Sequence, residues 1–168
     1  MFTSVDNLRR AGFTGFISIR ELRESKLERV PGDPGDIGVY LVLRVQEGIP
    51  AFIEKSTGGH FKGRDPNVPR DILSSHWVED TPVVYIGKAG APGKSATLRS
   101  RLRQYLSFGN GRAVGHWGGR MIWHLPQSED LLICWKQTRD LPPRDVEQRM
   151  IRTFTEEFGA RPFANLAD

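Results

Sequence analysis

The chain holds a single cysteine, Cys134, among its 168 residues. With no second thiol, an internal disulfide and any cysteine-based zinc site are excluded. Long apolar runs are missing too. None approaches the roughly 18 to 20 residues that span a bilayer, so no membrane partner is expected. The opening Met1-Phe2-Thr3-Ser4-Val5-Asp6 has no basic stretch ahead of an apolar core. With no secretory signal to read, the expected location is cytoplasmic. Acid is also lacking in one long stretch. Thr81 to Ser128 contains no Asp or Glu, yet it holds Lys88, Lys94, Arg99, Arg101, Arg103, Arg112 and Arg120, with His116 and His124. Such a block of one sign sets up a positive field suited to phosphates. A solvated basic face offset by acid elsewhere would share that composition. The formal net charge of +4 is too small to decide between them.

What is present reads as an ordinary globular chain, 38% hydrophobic and 26% charged. Its length fits one compact core with a short extension. Ser18 and Glu21 make a capping-box pair that starts a helix, anchored by Leu22 and Leu27. Turn chemistry over Pro31-Gly32-Asp33-Pro34-Gly35-Asp36 closes that extension, residues 1–35. Ile37 to Val45 reads as a central strand, and Ala51 to Glu54 as a returning one. Ser56 to Pro69 reads as a loop, and Asp71 to Val78 as a short helix. Pro82 to Lys88 is a second clear strand. Thr97 caps a helix running from Leu98 to about Phe108. Met121 to Leu125 and Leu131 to Gln137 look like further strands. Pro142-Pro143 opens a last helix that Gly159 ends. The order predicts an α/β (α+β) fold, a small sheet flanked by helices.

Candidate chemistry begins on that last helix. Val146, Met150, Ile151, Phe154 and Phe158 form its apolar stripe, and at about 100° per residue Glu147 falls inside it. A carboxylate facing a core is costly unless it is ion-paired or holds a metal, and both readings stand at this point. The three tyrosines are Tyr40, Tyr85 and Tyr105. Tyr40 closes Gly38-Val39-Tyr40, and Tyr85 opens Tyr85-Ile86-Gly87. Period-two alternation puts each glycine on its own tyrosine's face, leaving room beside the ring. On the capped helix Leu98, Leu102, Tyr105 and Leu106 are apolar, with Arg101 on their flank. Its planar fork suits a phosphate. Arg99 and Arg103 point further outward, as phosphate-positioning or solubilising groups.

Gly38-Val39-Tyr40, Tyr85-Ile86-Gly87-Lys88, Leu98-x-x-Arg101-x-x-x-Tyr105, Glu147 and Pro162-x-x-Asn165 together resemble the ordered motifs of the GIY-YIG nuclease superfamily. The resemblance covers about Asp36 to Asn165. It implies a small, mostly antiparallel sheet with flanking helices over residues 36–168, behind an N-terminal helical extension. It also marks residues 46–81 as a long insert between the two strand motifs. Valine stands at the centre of the first motif. Tyr105 occupies the helix position as in repair-type members, where some restriction-type members place histidine. His116 and Trp117 match none of these motifs.

The activity implied is hydrolysis of DNA phosphodiester bonds, on duplex or branched substrates. Catalysis would fall to Tyr40, Tyr85, Lys88, Arg101 and Glu147. Glu147 alone would anchor one divalent ion, Mg²⁺ or Mn²⁺, to polarise the phosphate and stabilise the leaving oxygen. Arg101 and Lys88 would neutralise the non-bridging oxygens. Tyr40 would be the base, with Tyr85 orienting it. For that role a phenol of pKa about 10 must fall to about 7, roughly 4 kcal/mol. Arg99, Arg103, Tyr105 and Asn165 are the expected substrate contacts, Asn165 as a brace. The chain would act as a monomer, or as a homodimer where both strands are cut. Two rival readings remain: a catalytically silent nucleic-acid-binding module of the same fold, and an interaction protein with an acidic partner.

Overall fold

A computed structural model describes residues 1–166. The fold is α+β, built on a four-stranded antiparallel sheet of order β1-β4-β2-β3. The strands are β1 (Thr14–Ser18), β2 (Gly38–Leu43), β3 (Val83–Ala89) and β4 (Leu132–Gln137). Among the described residues five α-helices accompany them: α1 (Val5–Arg10), α2 (Ile19–Glu24), α3 (Arg70–His76), α4 (Leu98–Gly109) and α5 (Pro143–Phe158). No helix among the described residues is long and apolar enough to cross a membrane.

Local chemistry explains most of these boundaries. Ser18 and Glu21 cap α2 reciprocally, and Thr97 with Ser100 does the same for α4. Pro143 sits at the start of α5, and Gly159 ends it at φ 75°, the left-handed conformation glycine adopts at least cost. Every residue of β2 is buried, as expected of a strand covered on both faces.

Three expectations are corrected. The N-terminal segment is not a helical appendage, because β1 pairs with β4 as an edge of the sheet. That strand is short and bulged between Gly15 and Ile17, so its alternation is hidden from the sequence. Met121 to Leu125 is not a strand. It falls in a 3-10 segment, Trp117–His124, and its end, with Met121, Ile122, Trp123, His124 and Leu125 all buried. Short apolar runs of this kind do not distinguish a buried helical turn from a buried strand. Ala51 to Glu54 forms no strand either. His124 ties that stretch down, its Nδ1 lying 2.8 Å from the Ile53 carbonyl while its Nε2 accepts from Val68 N–H at 3.0 Å.

The sheet divides two cores. On one face Val39, Leu41, Leu43, Ile86 and Cys134 pack with Met150, Ile151 and Phe154 of α5. On the other, Tyr40, Val42, Tyr85, Ile133 and Trp135 meet Leu98, Leu102 and Tyr105 of α4. The candidate chemistry lies on the second face and spills over the free edge of β3.

Candidate functional site

Cross-strand pairing brings the two strand motifs together. Tyr40 lies opposite Gly87, and Val42 opposite Tyr85. A Cβ at Gly87 would stand 2.5 Å from Tyr40 Cζ. The glycine of one motif therefore clears space for the tyrosine of the other, rather than for its own. Gly38 serves a different need, since a side chain there would strike the main chain of Lys136 on β4. The three tyrosine rings form a triangle with centroids 6.0 Å apart on each side. Tyr85 and Tyr105 lie nearly parallel, at 5°.

His116 completes this group. Its Nε2 is 2.8 Å from the Tyr40 hydroxyl, and its ring packs against Tyr105 at 4.4 Å. It is 1% exposed. Burial, reinforced by the nearby Arg101 charge, pushes the imidazole down to about 3, so the ring stays neutral. The following glycines make the approach possible: a Cβ at Gly119 would lie 3.1 Å from Tyr105 and 3.3 Å from Tyr85. Sequence reasoning set His116 apart without a role. Its flanking glycines inside the acid-free block were the only signal available.

Burial overturns the expected ionisation of Tyr40. Its phenol is 0% exposed, and desolvation, then the Tyr85 hydroxyl, pushes its pKa well above the ordinary value despite Arg101. Tyr85 is pushed up to about 12 by burial and then by Glu147, with Arg101 and a hydrogen bond to Tyr40 opposing. It is 7% exposed, so among the three phenols it is the one that reaches the surface. Tyr105 is buried, and its hydroxyl has no hydrogen-bond partner. That placement does not suit the substrate contact expected of it. Tyr105 instead walls the site.

Two half-buried charged groups, Arg101 and Glu147, act on the Tyr85 hydroxyl, and Lys88 stands beside Glu147. Arg101, on α4, donates to the carbonyl of Gly115 and to the side chain of Gln104. Lys88 lies on β3, the outer strand of the sheet. Glu147 comes over from α5, and burial raises its carboxyl pKa. Lys88, Arg101, Arg144 and a hydrogen bond to the Lys88 main chain oppose that rise. Glu147 is near enough to raise both Tyr85 and Tyr40. Among the described residues no cation lies within 4.0 Å of its carboxylate, so it is not spent in a structural ion pair.

The remaining expected residues separate into two groups. Asn165 is buried and braces the free edge of β3, accepting from Ile86 N–H at 2.9 Å and donating to Ile86 C=O at 2.8 Å. Arg99 donates to the carbonyls of Val30 and Glu28, so its guanidinium pins the N-terminal segment and is not free for a phosphate. Arg103 lies beside Leu22, Arg23 and Lys26, among side chains of α2 and its C-terminal turn rather than the tyrosine group.

No cluster of three or more His, Cys, Asp or Glu among the described residues could hold a metal. Any ion here would rest on Glu147 alone. A half-buried carboxylate without an ion pair fits a cation that keeps most of its water shell, as Mg²⁺ does. Comparison with family models, curated proteins and solved structures finds no match for this chain.

Proposed function

We propose that the chain is a metal-assisted DNA endonuclease with a GIY-YIG-type site. The observation that carries this reading is an ion-pair-free Glu147 whose charge reaches Tyr85 and Tyr40 beside Arg101, with Lys88 at the carboxylate and His116 behind Tyr40. A site built only for packing has no use for a carboxylate held partly out of water beside unpaired cations. Arg101 and Lys88 offer the charge that a phosphodiester needs on its non-bridging oxygens. Glu147 would hold the divalent ion, whose part is to neutralise charge on the phosphate and the departing oxygen.

The relative exposure of the phenols assigns their order. Tyr85 meets the attacking water, orienting it through a lone pair. Tyr40 stands behind it, with its hydroxyl 2.8 Å from His116 Nε2. As water adds to phosphorus, its proton passes to a non-bridging oxygen of the phosphate, while Tyr85, Tyr40 and His116 keep their neutral forms. The proton moves without requiring a free phenolate, which burial forbids.

A second reading has one observation in its favour. Tyr40 and His116 are fully enclosed, as they would be in a silent DNA-binding module. A cleavage assay on duplex and branched DNA with Mg²⁺ or Mn²⁺, using Glu147→Ala as control, separates the two. Metal-dependent nicking lost in Glu147→Ala supports the enzyme. Salt-sensitive binding with intact strands supports the module instead.

A further inference from the structure

The insert between β2 and β3 carries a charged feature that the tyrosine site does not use. Its turn at residues 61–64 is closed by an antiparallel bridge between Phe61 and Arg64. That turn stands against the 115–120 segment, where a Cβ on Gly115 would come 3.5 Å from the Phe61 ring. Two guanidiniums gather on the half-buried indole of Trp117. Arg120 lies 4.6 Å from the ring centroid and Arg64 lies 6.0 Å from it.

Neither arginine has a carboxylate within 4.0 Å among the described residues. Asp65, the nearest acid in sequence to Arg64, is turned toward Asn67 and His60. Burial and then the Arg64 charge lower the Arg120 pKa, the mark of like charges held close. An aromatic face attracts each cation, but it does nothing to relieve their mutual repulsion. An anion would.

Position names the anion. A Cβ on Gly118, the residue after Trp117, would lie 3.8 Å from the Tyr85 hydroxyl. Arg101 holds the carbonyl of Gly115 in the same segment. The arginine pair thus sits on the same segment that meets the Tyr85 hydroxyl and is held by Arg101. A DNA strand, with one charge per roughly 3.4 Å of axis, presents charge repeatedly along its length. We infer that Arg64, Trp117 and Arg120 form a clamp for the phosphodiester backbone flanking the cleavage position, with the insert supplying one arm. The inference rests on DNA being the substrate. Contacts of this kind go to phosphate and fix register without reading sequence.

The test is fluorescence anisotropy of a labelled 30-bp duplex, with EDTA to prevent cutting, from about 50 to 200 mM salt. Arg64→Ala/Arg120→Ala should bind about tenfold more weakly at about 100 mM salt. Its slope of log affinity against log salt should be shallower by about 2. Arg9→Ala/Arg10→Ala removes equal charge from α1 and should change neither quantity. Unchanged melting of the Arg64/Arg120 variant shows that lost binding is not lost folding. If both double variants bind as the wild type does, the clamp is wrong and the nuclease reading stands. If the wild-type chain neither binds nor cuts DNA, both fall together.

Discussion

The two faces of one sheet have been put to opposite uses. Under α5, the sheet contributes Val39, Leu41, Leu43 and Ile86 to a core closed by Met150, Ile151 and Phe154. Under α4, the same strands bury Tyr40 and Tyr85 with Tyr105 and His116, leaving Tyr105 Oη and His116 Nδ1 without partners. Each unpaired buried polar atom costs about 1–3 kcal/mol. One face supplies stability, and the other holds polar groups that packing alone would have replaced with hydrocarbon. Glu147 links them: it grows from the helix of the apolar face, yet its charge is felt by the tyrosines of the polar one.

That contrast can be broken from either side. The largest effect is expected from Arg101→Ala, which should slow cleavage roughly 10³-fold or more while leaving thermal melting nearly unchanged. Tyr85→Phe should cost on the order of 10²-fold, and a loss larger in Tyr40→Phe than in Tyr85→Phe would reverse the assigned order of the phenols. Phe154→Ala, on the apolar face, should cost about 3–5 kcal/mol by denaturant titration. Activity per folded molecule should survive.

Acid should single out His116. Its imidazole protonates near 3 when folded and at the ordinary 6.5 when unfolded. The folded state therefore binds fewer protons between those values, and stability falls as pH drops from about 6.5 toward 3, by on the order of 5 kcal/mol in full. His116→Gln keeps a hydrogen-bonding side chain at that position and should flatten the decline in a series of urea melts. The smallest effect concerns Glu147. Its carboxyl is raised above the ordinary value, so stability is fullest below that value and declines as pH rises through the raised one. In metal-free buffer at pH 8, Glu147→Gln should melt about 1–2 °C above the wild type. Millimolar Mg²⁺ should raise the wild type past it and leave the variant unmoved. No Mg²⁺ response in either protein would remove the metal from the proposal.

Legibility in the sequence followed the range of each interaction. The caps at Ser18 and Thr97, the Pro–Gly limits of α5 and the buried runs of β2 and β3 are signals within a few residues, and each lies where it was expected. Glu147 stood out because helical periodicity alone puts it among apolar neighbours. Strand β1 was missed because a bulge scrambles its alternation, and the 3-10 turn at Met121 because burial erases periodicity. Helical periodicity sets Arg101 on the apolar flank and turns Arg99 and Arg103 outward, but it does not say what either outward arginine meets. Only the N-terminal segment, folding back to present the carbonyls of Val30 and Glu28, takes Arg99 out of service.

Local order, then, was written in the amino-acid string: where helices begin, where strands run, and which carboxylate is out of place. Tertiary structure alone decided which phenol stays dry, which arginine lies near the tyrosines, and that His116 meets Tyr40 from 76 positions away. Capping and periodicity act over one or two turns of backbone. Burial and the pairing of distant groups exist only once the sheet has closed.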